Sequence, residues 1–174
     1  MMATIRRLIP PDAPGYRQLM LDAYARHPAA FTSSVTERTA LPLSWWESRL
    51  DMAALANEMV FGAFAESRLA GVAGLSFETR EKARHKATLF GMYVPSEYRN
   101  IGLGRRLVMA ALEQAKARGG IKLVQLTVTQ GNAGAQALYA RCGFAVFGVE
   151  PLAIAVDGQF LAKVHMWCDL SAAN

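Results

Sequence analysis

Cysteine is scarce: Cys142 and Cys168 are the two in 174 residues, and neither belongs to a Cys-x-x-Cys pair. Both are read as free, mostly buried thiols, with a mutual disulfide as the rarer alternative in a reducing compartment. Histidine is also sparse, and His27, His85 and His165 lie too far apart for a zinc-ligand spacing, so no metal is expected. No apolar run reaches the roughly 18 to 20 residues that cross a bilayer, because charges or prolines break each one. Residues 1–14 carry Arg6 and Arg7 but lack a following apolar segment of about 7 to 15 residues, so no secretory leader is read there and a cytoplasmic address is expected. There is no Ser/Gly linker, repeat or low-complexity tract, which leaves one domain over 1–174. Charged residues make up 19% and hydrophobic ones 52%, a balance that excludes a disordered chain.

The charge that is present is unevenly placed. The formal net charge is +5, yet residues 80–122 hold ten basic side chains against three acidic ones, a local +7 that leaves −2 elsewhere. Such a field attracts phosphate, whether in a nucleic-acid backbone or in a small polyphosphate ligand.

Periodicity supplies the organisation. Residues 4–8 read as a short strand, and Tyr16, Leu19, Met20, Ala23 and Tyr24 recur at helical spacing before Pro28. After an irregular stretch through Leu43, Ser44 and Glu47 have capping-box spacing, so a second helix is expected over 45–56, with Trp46, Leu50 and Ala53 on its inner face. Residues 60–65 and 69–77 read as a hairpin and 87–94 as a third strand. Leu103, Leu107, Ala111, Leu112 and Ala115 mark a helix over 103–117 that ends at Gly119-Gly120. Strict alternation makes 122–129 a strand, 133–141 is a short helix, and 145–156 and 160–170 are strands joined at Asp157-Gly158, a two-residue hairpin signal. The sum is an α/β domain with a mixed sheet of six to seven strands and about four helices.

One strand runs into Arg99-Asn100-Ile101-Gly102-Leu103-Gly104-Arg105 and then directly into a helix. The first amides of a helix lack intrahelical acceptors and sit at the positive end of its dipole, so they can wrap a phosphate. Gly102 and Gly104 would permit positive φ and keep a Cβ out of the ligand's way, while Arg99 and Arg105 offer forked donors. The Gly-Lys-Ser/Thr ending of a Walker loop and the third glycine of a dinucleotide fingerprint are both missing.

Arg99-x-x-Gly102-x-Gly104 resembles the acetyl-coenzyme A loop of the GNAT superfamily of N-acetyltransferases. About 30 residues further on, Asn132 with Ala135, Leu138, Tyr139, Arg141, Gly143 and Phe144 is similar to that family's second segment. The resemblance runs along nearly the whole chain and is weakest over residues 1–57. It implies a GNAT fold with three parts: an acceptor-side part (1–57), the central hairpin, strand and pyrophosphate loop (58–118), and a second coenzyme segment with the closing hairpin (119–174). Met92, Tyr93 and Val94 would then open away from their neighbour and offer backbone groups to the pantetheine arm. Asn100, Ile101, Gly102, Leu103, Gly104 and Arg105 would hold the pyrophosphate, beside Arg99. Asn132 and Ala135 would meet the pantetheine, and Tyr139 would give its proton to the departing thiolate. The implied reaction is direct attack by a primary amine of a small molecule or peptide on acetyl-CoA through a tetrahedral intermediate.

The sequence departs from the family pattern at the base. The strand before the glycine loop carries no glutamate, and Thr127 stands where ribosomal-protein acetyltransferases have one. Glu37 is the first candidate to accept the amine's proton and Glu78 the second, although Glu37 is equally a helix-start partner of Ser34. His85-Lys86 would meet the cofactor or cover a sheet edge. Two rival readings stand beside the enzyme: a coenzyme-A-binding module without catalysis, and a nucleic-acid binder using the basic segment, which lacks the aromatic pattern that stacks bases. Neither nucleic acid nor membrane is expected as a partner, and a homodimer through the last strands is left open.

Overall fold

Along Glu58–Ala65 and Arg68–Phe77, apolar side chains occupy almost every position, so both strands are buried on both faces and their sheet must be covered from two sides. A computed structural model of the chain describes residues 2–171; the ends of the expected 1–174 domain lie outside the described residues. The strands are β1 (Ala3–Arg7), β2 (Glu58–Ala65), β3 (Arg68–Phe77), β4 (Lys86–Tyr93), β5 (Leu123–Thr129), β6 (Ala145–Val156) and β7 (Gln159–Asp169). The helices are α1 (Ala13–Arg26), α2 (Val35–Thr39), α3 (Leu43–Ser48), α4 (Leu103–Arg118) and α5 (Ala133–Arg141). The seven strands form one sheet in the order β1-β2-β3-β4-β5-β7-β6, antiparallel except where β4 meets β5.

Two cores lie on its two faces. Leu103, Leu107, Ala111 and Ala115 of α4 pack with Met59, Ala73, Leu75 and Val124 on one side. Tyr16, Met20, Trp46 and Leu50 pack with Val60, Val72 and Tyr93 on the other. Arg118 ties the far end of α4 to the start of β2: its guanidinium donates to Ala56 O at 2.7 Å and Leu55 O at 3.1 Å and lies 3.9 Å over the Phe77 ring.

The centre of the sheet parts. Pairing of β4 with β5 covers Lys86, Ala87 and Thr88 against Leu123, Val124 and Gln125, and the strands diverge beyond that. On its other side β4 carries a bulge, because Val72 faces Tyr93 while Gly74 faces Phe90, and Gly91 supplies the φ of +56° that the extra residue needs. Asp157 and Gly158, with φ of 49° and 77°, close the last hairpin as the sequence leads one to expect.

Three expectations change. The helix expected over 45–56 is α3, which starts after Pro42 and stops at Ser48; Ser44 and Glu47 make no capping box, and Ala53 is exposed. The capping box belongs to Ser34 and Glu37, which open α2 inside the stretch read as irregular and raise the helix count to five. Lys86 starts β4 between two partners, and His85 O accepts from Lys122 N, so this dipeptide covers no sheet edge.

Candidate active site

The parting of β4 and β5 opens a cavity of about 530 Å³ that the N-terminus of α4 faces from one side and α5 from the other. Its lining gathers Met92, Tyr93, Val94, Arg99, Asn100, Gly102, Leu103, Gly104, Arg105, Asn132, Ala135 and Tyr139. Of the cofactor-binding residues expected from the sequence, Ile101 falls outside this lining and is half exposed.

The loop into α4 is shaped by its backbone. Asn100 and Gly102 take φ of +62° and +82°, and Gly102 caps the helix with no side-chain hydrogen bond, so the first amides of α4 remain open to a ligand. The two glycines do different jobs. A Cβ at Gly102 would meet nothing within 4 Å, so its role is conformational. A Cβ at Gly104 would stand 3.0 Å from both Leu138 Cδ2 and Met92 Cε, so its role is close packing of α4 against α5 and β4, and positive φ plays no part there.

Arg99 donates from Nε to Val94 O at 2.9 Å, which folds the loop back on the end of β4. Asn132 caps α5 by accepting from Ala135 N at 3.3 Å through its amide oxygen, and its amide N–H groups take no part in that cap. Tyr139 is 9% exposed, and burial pushes its phenol up to about 12, so it stays protonated across the neutral range. Its hydroxyl donates to Met92 Sδ at 3.5 Å.

His27 also lines this cavity, packed against Tyr93 with ring centroids 5.7 Å apart and within 3.4 Å of the Arg99 guanidinium. Burial, with Arg99 and Arg26 nearby, holds its imidazole below the usual value. A lone histidine at the end of an amphipathic helix gave no signal in the sequence.

A second cavity, of about 660 Å³, adjoins the first at Ala30 and Phe31 and lies between α1 and the sheet. Its floor is polar in an orderly way. Cross-strand register sets Glu58 opposite Ser76, Ser76 opposite Thr88, and Thr88 opposite Gln125, so four half-buried polar side chains form a row across β2, β3, β4 and β5. Arg49 closes one end, 3.2 Å from Glu58 and stacked over Trp45 and Phe90. Thr32, Ser33, Arg38, Thr127, Lys163 and His165 add to the polar lining. Thr129 Oγ1 donates to Ala29 O at 2.6 Å and Lys163 Nζ to Thr32 Oγ1, which hold the wall between the two cavities.

Glu37 lies outside both linings. Its carboxylate accepts from Ser34 N at 3.0 Å and its own amide donates to Ser34 Oγ at 3.1 Å. Glu78 also lies outside them, and the Arg80 guanidinium draws its carboxyl down to about 2. The structure therefore brings Tyr139 and the glycine loop together and leaves both expected bases apart from them.

Among the described residues no group of histidine, cysteine, aspartate or glutamate is placed to hold a metal ion, and no helix is long and apolar enough to cross a membrane. Both cysteines are free and buried.

Comparison with known proteins agrees with this geometry. An acetyltransferase of the GNAT family from Streptococcus pneumoniae superposes with a TM-score of 0.86 at 28% identity, over 95% of this chain and 98% of that one. The yncA structure from Salmonella typhimurium, solved with its cofactor acetyl-CoA, has the same fold with a TM-score of 0.80 at 21% identity, over 100% of this chain and 97% of that one. In sequence the chain is 26% identical to an L-methionine sulfoximine/L-methionine sulfone acetyltransferase of Pseudomonas paraeruginosa (strain PA7), over 98% of this chain and 92% of the relative. The model of the acetyltransferase (GNAT) family matches residues 19–144. The chain belongs to that family and is an acetyl-CoA-dependent N-acetyltransferase.

Proposed function

We propose that the protein moves acetyl from acetyl-CoA to the primary amine of a small polar molecule, and that the second cavity seats this acceptor. The observation that carries the reading is the junction of the two cavities at Ala30 and Phe31, one ending in a helix N-terminus and the other floored by polar side chains. Within the row Gln125 Nε2 donates to Thr88 Oγ1 at 3.4 Å and Glu58 is held by Arg49, and the further donors and acceptors of these groups line the cavity, where a small polar acceptor can meet them. The name of the Pseudomonas paraeruginosa relative points the same way, since its substrates are amino acid derivatives.

The cradle fits a diphosphate. The first amides of α4, the open space over Gly102 and the Arg99 and Arg105 guanidinium groups together suit two linked phosphates. Met92, Tyr93 and Val94, where β4 has lost its β5 partner, present backbone groups to an extended pantetheine arm, and the Asn132 amide meets it from the other side. Bound acetyl-CoA supplies an acyl group already activated as a thioester. Tyr139 holds its proton at the sulfur's side of the cavity and gives it up as the thiolate leaves. Holding both substrates in adjoining cavities supplies much of the rate by proximity.

The test is a thermal-shift screen of amines and amino acids with acetyl-CoA present, followed by mass detection of a gain of about 42 daltons on the amine. A small polar amine is expected to be acetylated. Coenzyme A binding without acetylation of any amine would favour a binding module instead.

A further inference from the structure

The proton of the acceptor amine needs a destination, and neither carboxylate expected from the sequence reaches the cavities. We propose that His165, oriented by Glu150, takes that proton in the second cavity. This rests on the reading of that cavity as the acceptor site.

The register places His165 beside the part of β5 that has left β4. His165 on β7 faces Thr127 on β5, two residues beyond Gln125, where pairing with β4 ends. Thr127 lines the cavity beyond Gln125 on the same face of β5, and His165 extends that polar lining onto β7. Its ring lies against Phe147, with centroids 5.7 Å apart, and it lines the cavity.

Glu150 on β6 comes within 2.8 Å of His165 Nε2 through its Oε2. An ionised carboxylate is an acceptor alone, so the proton of the neutral ring sits on Nε2 and the lone pair on Nδ1. A carboxylate held against an imidazole fixes its tautomer and stabilises the imidazolium that forms.

The other charged and titratable groups facing this cavity are less suited. Lys163 on β7 donates to Thr32, Arg38 after the start of α2 donates to Ser33 Oγ at 2.8 Å, and Glu58 on β2 is held by Arg49 at the far end of the row. On α1, Tyr16 is fully buried, and Tyr24 packs against Phe31.

The proton balance is simple. An ammonium group loses two protons on becoming an amide. His165 Nδ1 takes one and releases it to water. Tyr139 protonates the thiolate as the C–S bond breaks and the C–N bond forms, and the second amine proton passes through solvent to restore Tyr139, so the products are amide, thiol and one free proton.

The experiment uses the full chain with an amine that the wild type acetylates. In His165→Gln, kcat/KM should fall on the order of 100-fold, and the acidic limb of its pH profile should disappear, while calorimetry shows unchanged binding of coenzyme A. Imidazole nitrogen shifts of the free protein should show the proton of His165 on Nε2, and Glu150→Gln should erase that preference. An unaltered pH profile in His165→Gln, or a wild-type proton on Nδ1, overturns the proposal. If no amine is acetylated the proposed function fails, and the nitrogen shifts still decide whether the Glu150–His165 pair sets the tautomer.

Discussion

The Tyr139 hydroxyl donates to the thioether of Met92 at 3.5 Å, so a phenol on α5 already rests against sulfur on the diverging end of β4. A thioether is a weak acceptor, which leaves the hydroxyl free to change partner when another sulfur arrives. Tyr139→Phe should lower kcat on the order of 100-fold, with little change in coenzyme A affinity. Steady-state kinetics alongside calorimetry separates the two. An equal loss in both would mean that Tyr139 positions the cofactor and donates no proton.

Gly104→Ala sets a methyl 3.0 Å from Leu138 and from Met92, the same methionine that Tyr139 touches. Overpacking of this kind costs about 1 to 3 kcal/mol, and acetyl-CoA should bind more weakly. Gly102→Ala meets no atom and should act through its φ of +82°, at a cost of about 1 to 2 kcal/mol. Urea denaturation should show both variants destabilised, by packing at 104 and by backbone strain at 102, and calorimetry should show weaker acetyl-CoA binding in both, since both glycines line the first cavity.

Ser34 and Glu37 satisfy each other's amides at the start of α2. Ser34→Ala should cost about 1 kcal/mol of folding stability. Glu37→Gln should also act on folding and leave the pH profile of turnover in place. A flattened profile would return Glu37 to the role of proton acceptor.

Arg6 and Asp12 form a two-point ion pair at 2.7 and 2.9 Å, and hydrogen bonding from Arg6 draws the Asp12 carboxyl below its usual value. A carboxylate whose folded pKa is depressed stabilises the fold above the unfolded value, near 3.9, and loses that contribution as pH falls below it. The pair is partly solvated, so Asp12→Asn should cost about 1 kcal/mol at neutral pH. Denaturation curves of variant and wild type should converge as the pH drops below about 4.

The sequence located the glycine loop because every part of it is local: strand end, Arg99, two glycines and helix start fall within a few residues. The Asp157-Gly158 hairpin was legible for the same reason. Ser44-x-x-Glu47 misleads because Ser34-x-x-Glu37 has the same spacing, and a capping box needs its serine at the N-cap: Ser34 sits there in extended backbone, whereas Ser44 lies inside the first turn of α3, after Pro42. The polar row could not be seen. Glu58, Ser76, Thr88 and Gln125 are far apart along the chain and meet through strand register alone. The alternation over 122–129 marks the strand Leu123–Thr129, yet its polar side faces a cavity where solvent would be the ordinary expectation. His165 and Glu150 likewise become a pair through the pairing of β6 with β7.

Arg118 stitches the end of α4 to the carbonyls of Leu55 and Ala56, immediately before the strand that carries Glu58. The helix whose other end opens on the first cavity and the strand that begins the polar row are therefore clamped together. Opening for a second reactant by parting the two would break both hydrogen bonds and the Arg118–Phe77 contact. Breathing falls instead to the short segments between α1 and α3, whose moorings at Thr129 and Lys163 are single hydrogen bonds on the far side of the doorway.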